Sequence, residues 1–226
     1  MVHFTLFGIP VYIRPSFWVV LAIFGGALSI SSVEDLIYPA LFVIAGFVAI
    51  LSHEMGHALV GRKLGGGQQT IVLELFGGLT SSHGMQLTRG GRALMILAGP
   101  MMTLLLGIIS LWLTWNIVAP VMTSYNLNFW DLAISPFTAA LISPKLYILS
   151  CLIMIGEWWT ILNLLPIYPL DGGQLIAQYI RSPRKVFMTG FITAILIGLL
   201  SFQLFHGYFI PIFMALFAYS NYREYK

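Results

Sequence analysis

Four long apolar runs limit what this chain can become: residues 40–64, 93–118, 146–165 and 186–205. A helix needs roughly 20 apolar residues to cross the hydrocarbon core of a bilayer, and each run meets that length. Two shorter runs, 17–30 and 208–219, flank them and are marginal for a crossing. Composition agrees: 58% of the 226 residues are hydrophobic and only 8% are charged, against about a quarter charged in a soluble domain. That excludes a soluble enzyme, and high hydrophobicity with a net charge of +3 excludes disorder. The 11 Lys and Arg are dispersed rather than clustered, which argues against a nucleic-acid partner. The single Cys151 excludes an intramolecular disulfide framework and a cysteine-rich zinc site, and its apolar surroundings mark it as a packing residue. The expected fold is an all-α polytopic membrane protein. It is a six-helix transmembrane bundle forming one domain over 1–226, with the bilayer itself as a partner.

Basic residues orient the bundle. With the N-terminus in the cytoplasm, Arg14, Arg62, Lys63, Arg89, Arg92, Arg181, Arg184, Lys185, Arg223 and Lys226 fall inside, and Lys145 alone falls outside. The positive-inside rule then favours a multi-pass protein of the cell membrane with both termini cytoplasmic. A cleaved secretory signal is the other reading of the first apolar run. The long stretch before it, with Pro10 and Pro15, does not suit one.

One segment breaks the helical pattern. Residues 66–84 are glycine-rich at both ends, carry a strand-like run over 70–76, and continue Phe76-Gly77-Gly78-Leu79-Thr80, which reads as a β-hairpin. Non-helical backbone survives at membrane depth only where protein or a wet cavity covers it. The hairpin is therefore expected to dip in from the cytoplasmic side; a surface loop is the alternative. Residues 3–14 alternate poorly but are β-rich around 11–13.

The second span carries His53-Glu54-Met55-Gly56-His57. At about 100° per residue, the two imidazoles lie about 40° apart on one helix face, one turn from each other. That is what a zinc ion needs of two ligands, and the intervening carboxylate stands beside them to act as a base on water. Mostly small residues such as Gly46 and Ala49 share this arc, while Leu51, Met55 and Leu59 lie opposite. His57 precedes Arg62 by five residues, or roughly 7–8 Å along a helix, so the metal is expected below the cytoplasmic interface. The plain alternative is a polar contact between helices made by the two histidines.

A catalytic zinc site takes three protein ligands and leaves one position open. Asp171 is the leading candidate for the third. Pro166 and Pro169 break the fourth span ahead of it, and Gly172 and Gly173 after it permit close backbone approach. A helix N-cap is the other role for such an aspartate. Glu157 is the candidate in an enzyme using two histidines and a glutamate. Glu74 suits an interfacial carboxylate, and His83 and His206 suit loops. Asn163 could donate to an oxyanion or make an interhelical hydrogen bond; the residue alone does not choose.

These residues resemble the site-2 protease family of intramembrane zinc metalloproteases. The resemblance rests on His53-Glu54-Met55-Gly56-His57 and on Asn163, Pro166 and Leu170-Asp171-Gly172 on successive core spans. Weaker matches are Gly8-Ile9-Pro10-Val11, Phe76-Gly77-Gly78 and Ala98-Gly99-Pro100. It implies His53, His57 and Asp171 as ligands of one Zn2+ per chain and Glu54 as general base and acid. It also implies Asn163 in substrate binding or oxyanion stabilisation, and the 70–76 strand as an edge that pairs with unwound substrate. The implied partner is a transmembrane protein substrate; the oligomeric state is left open. One departure is Thr103, where the family often carries Asn, which puts a structural contact of the third span in doubt. With no length for the PDZ or CBS domain common in the family, the chain reads as a minimal catalytic core.

The function so read is intramembrane zinc endopeptidase. Rival readings are a membrane zinc protease with Glu157 as third ligand, and a membrane metal-binding or transport protein. A transporter needs ligands along a path, and no His or Asp ladder continues across the membrane here.

Overall fold

The computed structural model describes residues 1–75, 77–125 and 128–225; Phe76 and Lys226, used above, lie outside them. The chain opens with strands β1 (Val2–Leu6) and β2 (Ile9–Ile13), then helix α1 (Pro15–Phe24) and helix α2 (Ile37–Gly65). Strands β3 (Gln68–Glu74) and β4 (Gly77–His83) follow, then the long helix α3 (Arg89–Tyr125) and two short helices, α4 (Phe129–Ala133) and α5 (Pro136–Ala140). Helices α6 (Pro144–Leu164), α7 (Asp171–Ala177), α8 (Pro183–Phe205) and α9 (Phe209–Tyr225) complete it. Contacts divide the chain into two compact units, Met1–Thr160 and Ile161–Lys226.

Among the described residues, four helices are long and apolar enough to cross a membrane: Glu34–Gly65, Arg89–Ala119, Pro144–Leu164 and Pro183–Leu204. They coincide with the four long apolar runs. The first expected span, 17–30, is a helix of only 10 residues, stopped after Phe24 where two glycines follow. The last expected span, 208–219, becomes a helix of 17 residues.

The hairpin forms, but inside a larger sheet. β3 and β4 pair antiparallel from Gln68 opposite His83 to Glu74 opposite Gly77. The N-terminal segment adds two more strands, giving the order β1-β2-β3-β4. β2 runs parallel to β3, with Val11 opposite Ile71 and Ile13 opposite Leu73. This corrects the all-helical expectation with a lone hairpin. The parallel partner is reached only after the chain has passed through α1 and α2, so local alternation could not announce it. It also corrects the expected edge: among the described residues β3 lies between two strands, and of the two hairpin strands it is β4 that stands at an edge of the sheet.

The first unit's core explains the arrangement. Ile9, Val11 and Ile13 of β2 and Ile71 and Leu73 of β3 point to one face and pack on Phe17, Leu21, Ile50, Leu51, Met55 and Ala58. The sheet therefore covers the large-residue side of α2, and its small-residue side is left for α3. There Gly56 meets the Ala98 backbone so closely that a Cβ would stand 2.8 Å from the Ala98 carbonyl carbon. Small residues at such crossings let helix backbones approach where lipid gives no hydrophobic drive. Cys151 is buried with Ala45 and Tyr147, as its apolar surroundings suggested.

In the second unit, α8 and α9 form an antiparallel pair whose core holds Ile167, Ala194, Met214 and Ala218. The segment 165–170 links α6 to α7 through backbone bonds from Ile167 N to Leu165 O (2.7 Å) and from Leu170 N to Ile167 O (2.8 Å).

Candidate metal centre

His53, Glu54 and His57 are all buried on α2, with the two histidines one turn apart. The two rings stand edge to face, their centroids 4.7 Å apart. Their Nε2 atoms are 3.1 Å apart. Two nitrogens held about 2.0–2.1 Å from one tetrahedral zinc lie about 3.3 Å apart, so the pair is already spaced to within a few tenths of an ångström for the ion.

The backbone of α3 selects the tautomer of His57. Its Nδ1 lies 2.8 Å from the Met95 carbonyl. A carbonyl only accepts, so Nδ1 carries the proton and Nε2 keeps the lone pair that a metal takes. Gly99, one turn along α3, leaves the space. A Cβ there would overlap His57 at Nε2 and Cε1 and stand 2.9 Å from His53 Nε2. The residues thus fit a zinc ion in spacing, tautomer and room.

Glu54 is held from the other side by the sheet. Thr80 of β4 donates its hydroxyl proton to Glu54 Oε2 at 2.6 Å and also approaches the Glu54 carbonyl at 3.2 Å. At that distance the bond is at the short end for O–H···O, and it fixes the rotamer of the Glu54 side chain. Gly78 supplies the clearance, since a Cβ there would lie 2.5 Å from Glu54 Cδ. Glu54 is therefore a carboxyl group anchored beside the histidines.

Asp171 and Asn163 belong to the second unit, and both are buried. Asp171 opens α7, with Leu170 rather than Asp171 at the cap. Gly172 and Gly173 behave as expected: Cβ atoms there would run into the backbone of Leu164 and Leu165 and of Ile167 and Tyr168. The start of α7 is thereby laid directly on the end of α6.

The other candidates are exposed or paired with other groups. Glu157 is exposed on α6, whereas the two histidines are buried within the same unit. Glu74 pairs with Arg14 at 2.7 Å, the interfacial role expected of it. His83 ends β4 and His206 follows α8, both exposed. Thr103, where a contact was in doubt, meets the Thr160 hydroxyl at 2.9 Å, and both reach the Pro100 carbonyl, at 3.0 and 3.3 Å. The α3–α6 contact is thus kept by two hydroxyls.

Thr80, Gly78, Gly99 and the Met95 carbonyl were not picked out as parts of the site by sequence reasoning. Ala98-Gly99-Pro100 and Gly77-Gly78 were visible as motifs, but which side chains they clear is a tertiary matter. Thr80 carried no signal of its own.

Comparison with known proteins places these observations. The model of the family described as peptidase family M50 matches residues 41–205. A zinc metalloprotease of Methanocaldococcus jannaschii is 29% identical over 227 residues, covering 96% of this chain and 57% of that protein. A putative zinc metalloprotease of Synechocystis is 28% identical over 188 residues, covering 78% of this chain and 43% of that protein. The chain spans about half the length of these curated relatives. The solved structure of a site-2 protease from Methanocaldococcus jannaschii shares the fold, with a TM-score of 0.62 and 24% identity over 100% of this chain and 95% of that one.

Proposed function

The chain belongs to peptidase family M50, and from that premise we propose that it is an intramembrane zinc endopeptidase cutting a transmembrane segment of a membrane-protein substrate. The observation that carries this reading is the pair of buried Nε2 atoms 3.1 Å apart with an anchored, buried carboxylate on the residue between them.

His53, His57 and Asp171 are the residues that would hold one zinc ion, two imidazoles and a carboxylate. Support for Asp171 comes from its burial, its seating on the end of α6 and the reach of the family match across both histidines and this aspartate. When bound, zinc acts as a Lewis acid towards the attacking water and the scissile carbonyl. Glu54 accepts the water proton on its carboxylate and returns it to the leaving amine, while the Thr80 hydroxyl holds the group in line. The Asn163 amide donates to the developing oxyanion.

A helical substrate hides its peptide carbonyls in hydrogen bonds, so it must unwind before attack. The free edge of β4 offers backbone partners to the unwound stretch, two residues from Gly78 and beside Glu54. The reading keeps six spans in one domain, with the 24 residues from Arg14 to Ile37 that contain the short α1 and with α9 added to the four long helices; the distribution of basic residues supports cytoplasmic termini in the cell membrane.

The test uses the full chain in proteoliposomes with a single-span substrate. Glu54→Gln is expected to keep its zinc and lose cleavage; cleavage at the wild-type rate in that variant would rule the mechanism out.

A further inference from the structure

We propose that Asn221, near the end of α9, is a positioning residue for Asp171: its amide holds the loop that presents that carboxylate. This rests on the zinc reading above, and it goes beyond the family match, which ends at residue 205 before α9 begins.

Asn221 is 1% exposed. Its Nδ2 donates to the Tyr168 carbonyl at 2.6 Å and to the Phe217 carbonyl at 2.9 Å. Both partners can only accept, so the amide orientation is fixed by chemistry rather than by choice of flip. Tyr168 stands three residues ahead of Asp171 in the stretch between α6 and α7. Its carbonyl is outside any helix and is followed by Pro169, which brings no N–H. The partner for this carbonyl therefore comes from a helix 53 residues further along the chain.

The surroundings are shaped to this contact. Gly190 of α8 faces the amide; a Cβ there would overlap Asn221 Oδ1, stand 2.9 Å from its Cγ and come within 3.3 Å of the Tyr168 backbone nitrogen. The Asn221 Oδ1 itself has no hydrogen-bond partner among the described residues. A buried amide with an unmatched acceptor is costly, so the position is explained by what its donors reach. The loop is also tied from its other side, where Gln174 Nε2 donates to the Pro169 carbonyl at 2.9 Å. Between these two ties lies the approach to Asp171. Removing the Asn221 donor frees the Tyr168 carbonyl and lets the loop relax on that side, moving the carboxylate without changing any ligand.

The full chain in detergent provides the test, with zinc affinity read by competition against a chromophoric chelator and thermal unfolding read without zinc. Asn221→Leu, near-isosteric but without donors, is expected to weaken zinc by about 10-fold, the lower end for residues behind a metal ligand. Gly190→Ala keeps every group of Asn221 but displaces its amide, and is expected to weaken zinc by a similar factor. In the Gly190→Ala/Asn221→Leu pair the losses should not add, since both act through one contact.

Zinc affinity within twofold of wild type in both single variants would overturn the proposal, as would a lowered unfolding temperature with affinity unchanged. Should Asn221→Leu fail to fold, Gly190→Ala carries the same comparison. Failure of both to fold would assign the amide to helix packing and also overturn the role. Asp171→Asn binding zinc like wild type would overturn the metal reading itself, and this role with it.

Discussion

Gly99→Ala isolates the room that the metal centre needs. The added methyl would overlap Nε2 and Cε1 of His57 and stand 2.9 Å from His53 Nε2. An ordinary contact between such atoms is about 3.4 Å or more, so the His57 ring must retreat by about 1 Å. It is poorly free to do so, because Nδ1 is tied to the Met95 carbonyl on the same helix as the new methyl. Supporting geometry has to hold to about 0.5 Å for such a site, and a 1 Å misplacement costs on the order of 100-fold in rate. Two opposing effects act on stability. Alanine improves helix propensity by up to about 1 kcal/mol, and overpacking costs about 1–3 kcal/mol. The net change is therefore small or modestly destabilising, while zinc binding falls at least 10-fold. The assay pairs zinc competition with thermal unfolding on full-length protein and measures cleavage in proteoliposomes. A Gly99→Ala protein with wild-type zinc affinity and wild-type cleavage would refute the assignment of this cleft to the metal.

Thr80→Val keeps the shape of β4 but removes the hydroxyl on Glu54 Oε2; cleavage should fall by about 10-fold, a fraction of the roughly 100- to 10,000-fold that general acid–base catalysis contributes, with zinc content unchanged by metal analysis. Asp171→Asn should lose zinc in the same competition assay, whereas Glu157→Gln, altering an exposed side chain on α6, should retain it. Arg14→Gln breaks a pair whose side chains are 59% and 38% exposed, so the unfolding free energy should change by less than about 1 kcal/mol.

Much was legible in the chain itself. Apolar length alone located the four long helices, because a bilayer-length run of apolar residues leaves the backbone few alternatives to a helix. Spacing on α2 brought His53 and His57 to one face, since helical geometry is local and needs no partner. The two glycines after Asp171 were read as sites of close approach, and they are. Other features depended on segments far apart in the chain. β2 joined β3 across α1 and α2, which turned an expected hairpin into four strands and moved the open edge from β3 to β4. Thr80 acquired its role only because β4 lies against Glu54, and Gly99 only because α3 crosses α2 at the histidines. Periodicity fixes which residues share a face; which atoms meet across two elements is set by packing, and packing is a property of the whole fold.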